Sequence, residues 1–422
     1  MDIAALSLIL AAIFAWGTIS ARAVAISTPI FFVAIGLIMA EGLKLVHLAP
    51  DPHVTKIIAE VTLVWVLFAD ASRVRFSALR ADLGHCVRLL AIGLPLTTTL
   101  GTGAAVTILG VSPWYALLLG AALAPTDAAL GSAVMSDRRV PYRVRQTLNV
   151  ESGLNDGIAT PIVTFTLAVI AAAAGVAHEN PAHALLGLAL GVFAGAVLGA
   201  LGGRLLRSAG QRGWSSEEFA GPAVLALALL AYLSALLIGA NGFVAAFAAG
   251  SAFGAFAGRG GEREVYYVEQ TCGLASIICW LLFGALAVPT GAEDWSWSLL
   301  LYAMLSLTVI RMLPVAVSLI GARMDWATAL FIGWFGPRGL ASIVFALIAL
   351  EDLEGVPGPI DTVVATIGLT VLLSVVLHGL TAQPLAGRYA SSHQLDLEPI
   401  EHPEPPLRHL VRPSRAPEAN AH

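Results

Sequence analysis

Apolar positions in this chain neither alternate nor keep to one helical stripe; they run in blocks of 18 to 32 residues separated by short clusters of Arg, Gly, Pro or Asp. A helix that is apolar all round is either deeply buried or a membrane span. About 20 such residues cross the ~30 Å hydrocarbon core. The blocks number thirteen: 3–20, 24–41, 54–71, 86–110, 114–136, 144–175, 182–206, 219–238, 241–258, 266–288, 297–320, 327–350 and 361–387. The pattern predicts an all-α polytopic membrane protein with thirteen transmembrane helices.

The fifth block contains Ala124-Pro125-Thr126-Asp127, and the twelfth contains Gly336-Pro337-Arg338-Gly339. Proline removes a backbone donor and clashes with the preceding turn, so both helices are expected to break there. Each is the fifth member of a six-segment set, and the two run in opposite directions. That is the arrangement of two inverted repeats, in which paired broken helices mark a substrate site near the midplane. The expected organisation is a membrane domain over 1–390, with repeat one over 3–175, a linking helix over 182–206 and repeat two over 219–387. After Tyr389 the composition turns to Ser, His, Glu and Pro, so 391–422 reads as a disordered tail with too little apolar surface to fold.

Composition agrees: 57% of residues are hydrophobic and 12% charged, against about 25% charged in soluble domains. The placement of charge adds an orientation. Nineteen Arg residues, including Arg22, Arg73, Arg75, Arg80, Arg138, Arg139, Arg259 and Arg323, fall on one set of alternate loops and the tail, against Lys44 and Lys56 on the other. Basic loops stay in the cytoplasm, which predicts an outside N-terminus, a cytoplasmic C-terminus and residence in the cell (inner or plasma) membrane, with lipid as a partner. The first block lacks the basic flank of a secretory signal, since Asp2 is the only early charge. Dispersed Arg residues and a net charge of −5 imply no nucleic-acid partner. Cys86, Cys272 and Cys279 have neither metal-ligand nor disulfide spacing. With no phosphate-cradling loop or zinc site, no cofactor is expected.

Against this apolar ground Asp127, Glu151 and Asp156 stand out. A charge at bilayer depth costs about 2.5–3.5 kcal/mol on insertion scales, so such groups face a cavity or a partner and mark an ion or proton path. At ~1.5 Å per residue, Asp127 lies about 20 Å from one end of its segment and Asp156 about 18 Å from the opposite end of the next. Their carboxylates therefore reach similar depths. Two carboxylates in a confined cavity resist double ionisation, so the pair takes up a proton or a cation in turn. Ser152 shares a helical face with Asp156, Thr126 adds a hydroxyl, and the unwound backbone frees carbonyls. An all-oxygen shell of Asp156, Asp127, Ser152 and Thr126 suits sodium.

Glu151 and Asn155 form a second i, i+4 pair. Arg338, which cannot stand unpaired at the midplane, is the expected countercharge of Glu151. Arg311 is left to cap carbonyls or to pair with a carboxylate. Asp70, near the end of the third segment, is a cavity carboxylate or an ion partner of Arg73 and Arg75. His378 reads as a packed histidine, and the small residues after Asn241 as a close-packing helix face.

Ala-Pro-Thr-Asp at 124–127, Glu-Ser-Gly-Leu-Asn-Asp-Gly at 151–157, Gly-Phe-Val-Ala-Ala-Phe-Ala-Ala-Gly at 242–250 and Gly-Pro-Arg-Gly at 336–339 together resemble the monovalent cation:proton antiporters of the NhaP/NHE branch. The resemblance covers nearly all of 1–390. It implies a homodimer with an interface domain and a mobile core. It makes Asp156 and Asp127 the ion and proton site, Thr126 and Ser152 oxygen donors, and Asn155, Glu151 and Arg338 their supporting network. Asp70 becomes a cavity carboxylate where relatives often carry Glu. The expected activity is exchange of sodium, and also lithium, for protons. Neutral Asn155 beside Asp156 and a permanently charged Arg338 point to electroneutral exchange. A potassium/proton antiporter is the alternative, and a cation channel the alternative from another class. An intramembrane aspartyl protease would need a Gly-x-Gly-Asp sequence, which is absent.

Overall fold

In the computed structural model the described residues are 3–20, 27–43, 52–73, 83–175, 181–258, 261–288, 295–322 and 324–392. Among them every regular element is helical. The first half comprises α1 (Ile3–Ile19), α2 (Thr28–Leu37, continued by a π-turn over Ile38–Gly42), α3 (Pro52–Arg73), α4 (Leu83–Arg88), α5 (Leu94–Ala104), α6 (Pro113–Ala122), α7 (Ala128–Met135) and α8 (Tyr142–Ala173). Then follow α9 (Pro181–Gln211), α10 (Glu217–Leu237), α11 (Gly242–Ala257), α12 (Gly261–Leu282), α13 (Trp297–Leu307), α14 (Val309–Ser318), α15 (Trp326–Trp334), α16 (Leu340–Asp352) and α17 (Ile360–Ser392). Seven stretches are long and apolar enough to cross a membrane: the α4–α5 and α13–α14 pairs, each taken together, and α8, α9, α10, α12 and α17. The chain is an all-helical, multi-pass membrane protein. The count of thirteen also draws on the shorter and broken helices. Arg22, Lys44, Arg75, Arg80, Arg259, Arg323 and the tail from 393 lie outside the described residues.

Lipid-soluble helices gain little from hiding apolar side chains from one another, so contact depends on close backbone approach through small residues. The association of α9 with α11 shows this. Gly191, Gly195 and Gly199, one per turn of α9, lie against the backbone of Asn241, Ala245 and Ala249, where any Cβ would overlap. On its other side α11 presents Gly250 and Gly254 to the α3 backbone at Phe68 and Ser72. The packing expected of the face after Asn241 is therefore present, with α9 and α3 as the two partners.

Two boundaries differ from expectation. The eleventh segment is interrupted at Thr308, between α13 and α14, where φ is −111° and ψ −93°; no Gly or Pro marks the position. The last helix runs on to Ser392 because its final turns have something to cover. Tyr389 stacks on Phe331 at 4.2 Å and its hydroxyl lies 2.7 Å from Thr328 Oγ1, fastening α17 to α15.

Candidate ion site at two crossing helix breaks

The breaks at 123–127 and 335–339 meet. Asp127 N–H donates to the Pro337 carbonyl at 2.8 Å, and Leu340 N–H donates to Asp127 Oδ2 at 2.8 Å. Broken helices leave unsatisfied carbonyls at one set of ends and N–H groups at the other, and charged side chains are aimed at both. At the C-terminal end of α6, Arg338 Nη1 donates to the Ala124 and Pro125 carbonyls at 2.7 and 3.1 Å. Asp127 Oδ1 accepts from Ala129 and Leu130 N–H, capping α7, while Oδ2 caps α16 through Leu340. Cation at C-terminus and anion at N-terminus match the helix dipoles.

The remaining end, the C-terminus of α15, is met by His378, whose Nε2 lies 2.9 Å from the Trp334 carbonyl. Arg338 N–H donates to Ser374 Oγ at 2.7 Å, and Ser374 Oγ lies 3.2 Å from His378 Nδ1. His378 Nδ1 also lies 2.9 Å from the Ser374 carbonyl, so each ring nitrogen faces a backbone carbonyl, one on α15 and one on its own helix. His378 is packed, as expected, and it also has the unforeseen task of capping a half-helix. Ser342 adds a further tie, its hydroxyl donating to the Ala122 carbonyl at 2.7 Å.

The glycines of Gly-Pro-Arg-Gly have separate reasons. A Cβ on Gly339 would overlap the Asp127 carboxylate, and one on Gly336 would overlap the Arg311 guanidinium. The motif therefore clears space for one acid and one base from other helices.

The expected pairing of Glu151 with Arg338 is corrected. Glu151 Oε1 is bonded to Arg311 Nη1 at 2.6 Å, with both side chains buried, 3% and 1% exposed. Arg338 is occupied by the carbonyls of the first break, its own helix break having carried it to the end of α6. Arg311 thus pairs with a carboxylate, and the capping task goes to Arg338.

Next to the crossing, α8 presents Ser152, Asn155 and Asp156, all buried. Thr126 Oγ1 accepts from Asn155 Nδ2 at 2.6 Å and lies 3.0 Å from Ser152 Oγ. The Asp156 Oδ1 and Asn155 Oδ1 atoms are buried with no hydrogen-bond partner. Two unpartnered acceptor oxygens beside two hydroxyls form a local surplus of acceptors, which costs free energy unless a proton or cation completes it. Asp70, Asp127 and Asp156 lie within electrostatic reach of one another. Asp70 rests on α8 at Gly153, where an added Cβ would stand 3.5 Å from the Asp70 Cβ. Among the described residues no three His, Cys, Asp or Glu side chains converge as a metal cage, so any cation shell here draws on hydroxyl and backbone oxygens as well.

Asp70 does not take Arg73 as its hydrogen-bond partner. Arg73 Nε donates to Glu269 Oε1 on α12, and Glu269 had no part in the sequence-derived site. Its signal was an acid less than one turn inside the tenth apolar block, 266–288. At the opposite end of α3, Lys56 Nζ reaches Asp352 Oδ1 at 2.8 Å and Glu351 Oε1 at 3.6 Å, linking α3 to the end of α16.

Comparison with known proteins places the whole arrangement. The family model for the sodium/hydrogen exchanger transmembrane region matches residues 8–388. A curated relative, the K(+)/H(+) antiporter NhaP of Alkalimonas amylolytica, is 30% identical over 370 residues, 86% of this chain and 62% of its own length. The K(+)/H(+) antiporter NhaP2 of Shewanella oneidensis is 27% identical, covering 78% of this chain and 57% of its own length. The chain thus spans about three-fifths of the length of these relatives. Among solved structures, the sodium proton antiporter MjNhaP1 from Methanocaldococcus jannaschii at pH 8 superposes with a TM-score of 0.76 at 21% identity, over 90% of this chain and 100% of that one.

Proposed function

Because the chain belongs to the sodium/hydrogen exchanger family, a family of secondary transporters and not of enzymes, we propose that it exchanges a monovalent cation for protons across the membrane by alternating access. The observation that carries this is the buried Asp156 carboxylate with one oxygen unpartnered beside Thr126, Ser152 and Asn155, at the crossing of two broken helices. A cation and a proton compete for that oxygen, and competition for one site couples the two fluxes.

In this reading Asp156 binds the substrate, while Asp127 chiefly holds the helix ends. A carboxylate has about four acceptor sites, and Asp127 uses three of them on backbone N–H groups. One remains to face a cation. Thr126 and Ser152 supply hydroxyl oxygens, Asn155 orients Thr126, and the Glu151–Arg311 pair and Arg338 fix the frame.

Potassium stands ahead of sodium. Sodium was the leading expectation from the oxygen donors, yet the two curated relatives named above are potassium/proton antiporters, and the likeness to a sodium antiporter is one of fold. We further propose thirteen crossings in two inverted six-segment sets, an outside N-terminus, a cytoplasmic C-terminus, a homodimer and electroneutral stoichiometry. The test is proton flux in everted vesicles from an antiporter-deficient host, with potassium, sodium and lithium added in turn. Potassium is expected to release the pH gradient most strongly and Asp156→Asn to silence all three. Full activity in Asp156→Asn would falsify the assignment, and cation current without proton movement would replace exchanger by channel.

A further inference from the structure

The Arg73–Glu269 pair has no task in the site described so far, yet its acid lines a cavity next to that site. Glu269 lines a cavity of about 420 Å³ whose walls include Trp16, Pro29, Ala129, Leu274 and Trp280. Ala129 is the residue whose N–H is bound by Asp127, so the cavity extends from α12 to the first turn of α7. On α3, Arg73 lies three residues beyond Asp70 and hence on the same face. It is within electrostatic reach of both Glu269 and Asp70. Asp70 in turn lies against Gly153, three residues before Asp156. A chain of neighbours therefore runs from the cavity through Glu269, Arg73 and Asp70 to Asp156.

We infer that Arg73 is a tethered competitor for the transported cation: held by Glu269 it leaves Asp70 open to an ion arriving from the cavity, and once released it occupies Asp70 itself. The inference rests on the exchange reading above. Its physical basis is that a guanidinium keeps its charge at every working pH, so Arg73 and a metal cation compete for the same carboxylate. The Arg73 side chain is 47% exposed and that of Glu269 17%. Arg73 is held through a single Nε contact and its own side chain is half-exposed, so water screens part of its charge and it can change partners within a transport cycle. Glu269 is then a positioning residue, setting the apparent cation affinity by choosing where Arg73 stays.

The full chain in everted vesicles tests this through the apparent KM for potassium set against the maximal rate. Arg73→Gln is expected to lower KM roughly three- to tenfold, the order of one partly screened charge contact, with the maximal rate little changed. Glu269→Gln is expected to raise KM, because Arg73 then moves to Asp70. The double variant is expected to match Arg73→Gln, since Glu269 has nothing left to restrain, and this dependence identifies coupled residues. A structural clasp alone would lower expression or rate in both variants without moving KM in opposite directions. A rise in KM for Arg73→Gln, a KM at or below the native value for Glu269→Gln, or a double variant resembling Glu269→Gln overturns the inference. If native vesicles exchange, Asp156→Asn does not, and KM stays fixed in both single variants, only this inference falls. Absence of cation-dependent proton flux in native vesicles removes the exchange reading, and this inference with it.

Discussion

Arg311 and Arg338 are the largest charged side chains in the buried interior, and each is there for a different reason. Arg311 answers a carboxylate, Glu151, while Arg338 answers two carbonyls freed by a broken helix. Removing one member of a buried pair strands the other charge and costs about 3–5 kcal/mol, whereas replacing both with apolar residues of similar size is far milder. Glu151→Gln in purified protein should therefore show a large fall in unfolding temperature, and the double variant Glu151→Leu with Arg311→Met a smaller one. Equal losses in the two would remove the pairing. A second expectation concerns Gly339. Its missing Cβ makes room for Asp127, so Gly339→Ala should destabilise by about 1–3 kcal/mol through overpacking and depress exchange as the cap is displaced. The control is Gly17→Ala on α1, where a Cβ meets nothing within 4 Å and a helical Gly-to-Ala change is favourable by about 0.5–1 kcal/mol. If thermal denaturation shows the two alanine variants alike, the Asp127 contact does not explain the glycine.

At the level of elements, the two breaks work because each supplies what the other lacks. Three helix ends are closed across the crossing by Arg338 on carbonyls and Asp127 on N–H groups, and His378 closes the fourth from α17. A midplane interruption in lipid is tolerated only where protein satisfies the freed backbone, and this crossing meets that condition. The glycine face of α9 is a second element-scale device. Gly195→Val would drive a branched side chain into the Ala245 backbone of α11, and no rotamer avoids a clash made by Cβ itself. Fluorescence-detected size exclusion is expected to show lost or aggregated protein for Gly195→Val. A native profile with normal flux would mean that the α9–α11 contact can open at no cost.

For the molecule as a whole, two ion-pair clasps lie at opposite ends of α3, Lys56 with Asp352 and Glu351 at one end and Arg73 with Glu269 at the other. Each joins α3 to a different helix, which suits a bundle whose ends open in turn. In the electroneutral exchange proposed above, the Glu151–Arg311 pair and Arg338 keep their contacts while one cation and one proton alternate at Asp156. The expected outcome is that a potassium-independent diffusion potential imposed on vesicles, at balanced cation and proton gradients, drives no net exchange. Sustained transport driven by the potential alone would show unequal charge movement and end the electroneutral proposal.

The sequence by itself determined the helical class, the expected segments, the two breaks and the short list of buried ionisable residues, because each of these is a local cost of placing polar groups in an apolar block. It also brought Ser152, Asn155 and Asp156 onto one stretch of helix through spacing alone. Tertiary structure alone decided partners: Glu151 with Arg311, Arg338 with Ala124 and Pro125, Asp127 with Leu340, and Arg73 with Glu269. The break at Thr308 and the extra turns to Ser392 were likewise invisible, since neither carries a local signal and both answer to neighbours distant in the chain. Periodicity and desolvation act residue by residue along the chain, whereas a buried charge takes whichever counter-group the packed helices bring within reach.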